Sequence, residues 1–181
     1  TFRDLEIIYD WSRAISDGNN IARELNQGIA LAGASTGDVI VPMRIVGGSL
    51  KGRTLTAPPR NSQKGLELRP TADRVRESLF NVLAHGAGGV DLEGLTVIDV
   101  FAGTGAVGLE AMSRGAGHGV FIDNDRAALA LARKNAGALG LGRKVILLRL
   151  DAARLPPPPR AAKTPGGLAF LDPPYEQGLV P

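Results

Sequence analysis

Fifteen residues constrain this chain more than any others: Val97 to Ala111, VIDVFAGTGAVGLEA. Val97, Ile98 and Val100 form the short apolar run of a buried parallel strand. Gly103 and Gly105 then let the backbone turn tightly and come close to a ligand. Val107, Leu109 and Met112 supply the apolar face of a helix that follows. A helix entered in this way aims its first free N–H groups and its positive dipole end at whatever lies over the turn.

The nature of that ligand is the first question. Gly103, Gly105 and Gly108 satisfy the G-x-G-x-x-G pattern of dinucleotide sites, and Asp123 follows at about the distance of the usual ribose acid. Asp99, at the strand end four residues before the first glycine, argues against a pyrophosphate, which it would repel. A cationic ligand would gain from it. A turn that merely packs strand on helix is the plain alternative. Asp99, Phe101, Gly103 and Gly105 together, D-x-F-x-G-x-G, resemble motif I of the class I S-adenosylmethionine-dependent methyltransferases. The resemblance implies that these residues bind the cofactor, with the acid near its ammonium and sulfonium charges.

The 181 residues suffice for one α/β domain with a real core plus a small addition. No apolar run is long enough to span a membrane, and the acidic N-terminus lacks the apolar stretch of a signal peptide. With no cysteine there is no disulfide, thiolate metal site or cysteine nucleophile, which fits a cytoplasmic protein. Two histidines, His85 and His118, are too few for a His-rich metal site, so no metal is expected. The net charge of +3 is unevenly spread. Residues 1–42 are net −3, residues 43–89 net +5 and residues 90–181 net +1. The basic excess before the glycine turn fits either a phosphate-binding face or a solvated surface.

Three segments follow. Residues 1–42 carry two amphipathic stretches, 2–16 and 21–31, and no chemistry-bearing motif, so they read as a helical or disordered extension. Residues 43–89 hold a glycine-broken basic hairpin at 43–57, with Arg44, Lys51 and Arg53, and then a helix over 69–83. Thr71 is the expected cap of that helix, and Val75, Leu79, Val82 and Leu83 its apolar stripe. In residues 90–181 strands at 119–122, 145–150 and 167–171 succeed the central one. A helix capped by Asp125 runs to about Leu139, and a proline run at 156–159 reads as linker. This β-α-β-α-β-loop-β order predicts an α/β, doubly wound parallel sheet.

Asp99, Asp123, Asp151 and Asp172 all fall at strand carboxyl ends, where open α/β sheets bind ligands. A single such aspartate is often a helix cap; four are hard to explain that way. Asp123 can accept two hydrogen bonds from a ribose diol. Asp151 resembles the family acid that accepts from the adenine amino group, with a turn cap as its alternative. Asp172-Pro173-Pro174-Tyr175 resembles motif IV of methyltransferases that modify exocyclic amino groups. The lone pair of such an amine is delocalised into its ring. The Asp172 carboxylate and Pro173 carbonyl would hold both N–H bonds and turn that lone pair towards the methyl group. Pro173 and Pro174 stiffen the loop, and Tyr175 offers a face on which an extruded base stacks.

Taken together, RIVGGSLKGRTL at 44–55, RPTADRVRESLFNVL at 69–83, DVFAGTGAVGLEAMSRGA at 99–116 and FLDPPY at 170–175 resemble the RsmD-type 16S ribosomal RNA guanine-N2 methyltransferases. The resemblance covers Met43 to Pro181. It implies a Rossmann-like fold and S-adenosyl-L-methionine as methyl donor. It implies as partner 16S rRNA in the 30S subunit or its assembly intermediate. It also implies that Arg44, Lys51 and Arg53 meet rRNA phosphates while Arg69 and Thr71 line the pocket. The family has nothing matching residues 1–42, and its sheet continues beyond the DPPY loop. The sequence therefore reads as a fragment whose fourth strand is an uncovered edge. A DNA adenine-N6 methyltransferase, a non-catalytic RNA-binding fragment and a nicotinamide-dependent oxidoreductase are the competing readings. The last leaves the Pro-Pro-Tyr loop unexplained.

Overall fold

The computed structural model describes residues 43–58, 70–85, 89–154 and 167–172. Four strands form one parallel sheet: β1 (Thr96–Val100), β2 (His118–Asp123), β3 (Val145–Arg149) and β4 (Leu168–Leu171), in the spatial order β3-β2-β1-β4. The chain steps outward from β1 to β3 and then returns to the other side of β1. That reversal places a topological switch point between β1 and β4, as the doubly wound reading requires. Three helices are described: α1 (Pro70–His85), α2 (Ala106–Ser113) and α3 (Arg126–Ala138). None is long and apolar enough to cross a membrane.

Strand alternation divides the core in two. Register places Val97 beside Gly119 and Leu168, and Asp99 beside Phe121 and Phe170, on one face. The described helices cover that face. Leu79, Phe80 and Leu83 of α1 and Ala111 and Met112 of α2 pack with Val97, Leu168 and Phe170. Leu109 of α2 and Ala132 and Ala136 of α3 pack around Phe121. The other face forms a separate cluster of Ile98, Val100, Val120, Ile122 and Ala169.

Gly108 shows why α2 lies so close to the sheet. A Cβ there would stand 2.2 Å from the Phe121 ring. The third glycine of the pattern thus serves helix–strand packing. At the other end of α2, Arg114 caps the helix and Gly115 takes a φ of 117°. The Asp125 side chain accepts from the Ala127 N–H at 2.8 Å and caps α3 as expected.

Two local expectations need correcting. Thr71 falls inside α1 rather than at the position before it: the helix already opens at Pro70, which has no N–H to lose there. The inward stripe of α1 is Arg76, Leu79, Phe80 and Leu83, whereas Val82 is exposed. The basic hairpin is present but short. A single antiparallel bridge joins Arg44 to Thr54, and the tip winds into a 3-10 turn over Gly48–Leu50. Gly48 has a φ of 73° and lies against the Ser113 carbonyl, where a Cβ would come within 2.0 Å. The readings of residues 1–42, of 156–159 and of Arg69 lie outside the described residues.

The hairpin is part of the core. Met43, Ile45 and Leu55 share the cluster around Phe121. Its backbone is pinned to α2: the Val46 N–H donates to Glu110 Oε2 at 2.8 Å, and the Leu50 N–H to Ser113 Oγ at 2.9 Å. Glu110 is fully buried and also binds Arg114 Nε at 2.8 Å. Arg76 reaches the same carboxylate at 3.5 Å and Asp73 at 2.9 Å. One buried network therefore joins α1, α2 and the hairpin.

Candidate functional site

The carboxyl ends of β1, β2 and β4 and the turn from Phe101 to Gly105 meet at the switch point. Phe101 is the one non-glycine residue among those described with a left-handed backbone, at φ 66°. Such strain persists only where the surroundings over-determine it, and it is concentrated at ligand sites. Gly103 and Gly105 follow at φ 56° and 76°. A Cβ at Gly103 would meet nothing nearer than 4.0 Å, so the turn leaves open space above it. At Gly105 a Cβ would press on Phe121 at 3.1 Å, so that glycine serves packing as well as the turn.

Asp99 is 4% exposed, and its Oδ2 accepts from the Gly108 N–H in the first turn of α2 at 2.9 Å. Burial pushes its pKa up to about 7; the Gly108 N–H opposes this, and the charges of Asp172 and Asp123 add to it. Asp123 is tied more tightly. Its Oδ2 accepts from the Gly103 N–H at 2.8 Å and its Oδ1 from the Asp125 N–H at 2.8 Å. A carboxylate has about four lone-pair sites, so both oxygens retain capacity for a ligand. Asp172 follows β4, and desolvation raises its carboxyl above the usual range. Asp151 is exposed, and its Oδ1 accepts from the Ala153 N–H at 2.9 Å, which caps the short turn Ala152–Arg154.

The structure therefore brings Asp99, Asp123 and Asp172 together beside the glycine turn. The N-terminus of α2 is occupied by a carboxylate of this chain, so an incoming pyrophosphate would face acids rather than a free dipole. A ligand carrying ammonium and sulfonium charges suits these carboxylates, and the open space over Gly103 gives it room. Pro173, Pro174 and Tyr175 lie outside the described residues. Thr71 is placed by its backbone in the first turn of α1.

The expected RNA-facing cations divide. Lys51 is exposed at the hairpin turn. Arg44 is largely exposed and stands 3.7 Å from Asp73. Arg53 spends one N–H on the Ala138 carbonyl, at 2.8 Å, at the C-terminal end of α3. Two positioning residues went unread in the sequence. Asn135, 1% exposed, donates to the Thr104 and Thr56 carbonyls at 3.0 and 3.1 Å and accepts from the Thr56 N–H at 2.7 Å, joining turn, hairpin and α3. Its signal was an asparagine inside an otherwise good helix, where it is a poor helix former. Glu110 stands four residues before Arg114, the spacing of an exposed helical ion pair, so spacing alone does not mark it as buried.

A family model described as conserved hypothetical protein 95 matches residues 43–181. Ribosomal RNA small subunit methyltransferase D of Escherichia coli K12 is 40% identical over 139 residues, covering 76% of this chain and 63% of that protein. YlbH of Bacillus subtilis is 39% identical over 137 residues, covering 75% and 68%. The solved structure of yhhF from Escherichia coli superposes with a TM-score of 0.57 at 33% identity, covering 77% of this chain and 68% of that one. This chain thus spans roughly two thirds of the length of these relatives. Its parallel sheet, its glycine turn and these matches agree: from Met43 onward, the chain belongs to the family of RsmD-type methyltransferases.

Proposed function

We propose that this chain carries the cofactor site and the methyl-transfer site of an enzyme that methylates the exocyclic N2 amine of a guanine in 16S rRNA, with S-adenosyl-L-methionine as donor. The observation that carries the reading is the meeting of Asp99, Asp123 and Asp172 at the switch point beside an open glycine turn. Relatives named as ribosomal RNA methyltransferases support the rRNA substrate. The likeness of Asp172-Pro173-Pro174-Tyr175 to the exocyclic-amine motif, with the RsmD-type resemblance, supports a guanine amine as the acceptor.

The cofactor, when bound, supplies an electrophilic methyl group on a sulfonium. Every other part falls to the chain. Phe101, Gly103 and Gly105 shape the floor of its site. Asp123 accepts from the ribose diol while its bonds to the Gly103 and Asp125 N–H groups fix its orientation. Asp99 faces the positive amino-acid end. Asp151 accepts from the adenine amino group through whichever oxygen is not capping the turn. Asp172, with the Pro173 carbonyl, accepts from the target amine and directs its lone pair, and Pro174 and Tyr175 hold and stack the base. Thr71 serves the cofactor and Arg69 the RNA where their segment meets the cofactor and target-base pocket. Arg44, Lys51 and Arg53 hold rRNA phosphates, with residues 43–89 as the RNA-facing part and residues 90–181 as the cofactor part.

The test is methyl transfer from labelled S-adenosylmethionine to 30S particles that lack the modification, followed by nucleoside analysis. N2-methylguanosine in the 16S rRNA is the expected product. N6-methyladenosine, or labelled DNA in preference to RNA, would refute the guanine assignment.

A further inference from the structure

Between Arg126 and Leu150 the chain carries Arg126, Arg133, Lys134, Arg143, Lys144 and Arg149, and no aspartate or glutamate. All six side chains are exposed. The Arg149 side chain donates to the Asn124 carbonyl; the side chains of the other five make no ion pair or hydrogen bond with any described residue. On α3 the buried positions are Ala128, Leu129, Ala132, Asn135 and Ala136, so Arg126, Arg133 and Lys134 fall on the opposite side. The exposed positions between them are small: Ala127, Ala130, Gly137 and Ala138. Gly142 approaches Gly137, where a Cβ would be 4.0 Å from its Cα, and this brings the loop bearing Arg143 and Lys144 against the end of α3. Arg53 of the hairpin bonds to that same helix end through Ala138.

We infer that the outer face of α3 and the loop to β3 form a second RNA-phosphate surface, continuous with the hairpin through Arg53. The inference rests on the rRNA reading above. A cluster of unpaired like charges repels itself and gains from a polyanion that displaces its counterions. Small residues between the cations let a sugar-phosphate backbone come close. A membrane surface fits less well, because among the described residues the only exposed large hydrophobic side chain is Val82, on α1.

The full chain provides the test. One variant combines Arg133→Gln, Lys134→Gln, Arg143→Gln and Lys144→Gln; a second combines Arg44→Gln and Lys51→Gln. Each is titrated with the rRNA of 30S particles that lack the modification over a salt series, and with S-adenosylhomocysteine as a check on the fold. The fourfold variant is expected to bind rRNA at least about tenfold more weakly, to show a log–log salt slope smaller by about 3, and to bind S-adenosylhomocysteine unchanged. If it keeps the wild-type affinity and slope while the hairpin variant loses both, the α3 face is a solvated surface and the rRNA reading survives. Wild-type protein that does not bind rRNA refutes both. Wild-type protein that prefers vesicles of anionic phospholipid to rRNA overturns the assignment of the face.

Discussion

Asp99→Asn should make the ligand-free protein more stable at neutral pH while weakening its hold on the cofactor. The carboxyl is buried, accepts one backbone N–H, and has its pKa raised from 3.8 to about 7. The folded state therefore binds the proton more tightly than the unfolded state. The stability associated with this group is fully present below pH 3.8 and is lost as pH rises through about 7. Over that interval the loss approaches about 4 kcal/mol, an upper figure for a group whose neighbours can relax. Asparagine has the same shape, can accept from the same Gly108 N–H, and never ionises. The variant should gain about 1–4 kcal/mol over wild type at pH 8 and close to nothing at pH 4. Denaturant unfolding of both proteins at pH 4, 6 and 8 measures the difference. A difference that stays constant across that range would refute the reasoning. The same substitution should weaken S-adenosylmethionine binding at pH 8, where wild type presents a charge to the cationic end.

Four further outcomes follow from the geometry. Asp123→Ala removes the acceptor for Gly103 and for the ribose, and should reduce S-adenosylhomocysteine affinity by about 1.5–3 kcal/mol in a calorimetric titration. Asp172→Ala should abolish methyl transfer while leaving cofactor affinity within a few-fold; loss of cofactor binding would show that its role is misassigned. Gly108→Ala places a methyl 2.2 Å from the Phe121 ring, and should cost about 1–3 kcal/mol in unfolding experiments despite alanine's better helix propensity. Glu110→Ala removes one of the two carboxylates beside buried Arg76, leaving Asp73 at 2.9 Å, and takes the acceptor from the Val46 N–H, so a loss of about 1–3 kcal/mol and loosened hydrogen exchange in the hairpin are expected.

The sheet was legible in the sequence because each strand is a short apolar run closed by an aspartate or glycine punctuation. Periodicity and stop signals agree there. Asp125 was readable as a cap for the same reason: its chemistry is local. What the sequence hid was tertiary. Val82 fits the helical stripe of α1, but the face that meets Val97 and Phe170 is rotated towards Arg76 and Phe80. Arg76 reads as an exposed partner of Asp73 three residues earlier until Glu110 of α2 arrives beside it and closes a buried network. The basic face of α3 was masked by counting. Residues 90–181 are nearly neutral in sum, with ten basic and nine acidic residues. Several of the acids are turned inward or gathered at strand ends: Asp99 and Glu110 are buried, and Asp123 and Asp172 flank the switch point. On α3 and the loop to β3 the bases Arg126, Arg133, Lys134, Arg143 and Lys144 stay exposed, with no acid among them in the sequence.

Calorimetric titration of the chain with S-adenosylhomocysteine, with NADH as the control ligand, tests most directly whether the strand-end acids form a site for this cofactor. Saturable binding of S-adenosylhomocysteine alone, lost in Asp123→Ala, is the expected result. Saturable binding of NADH, or S-adenosylhomocysteine binding that is indifferent to Asp123, would contradict it.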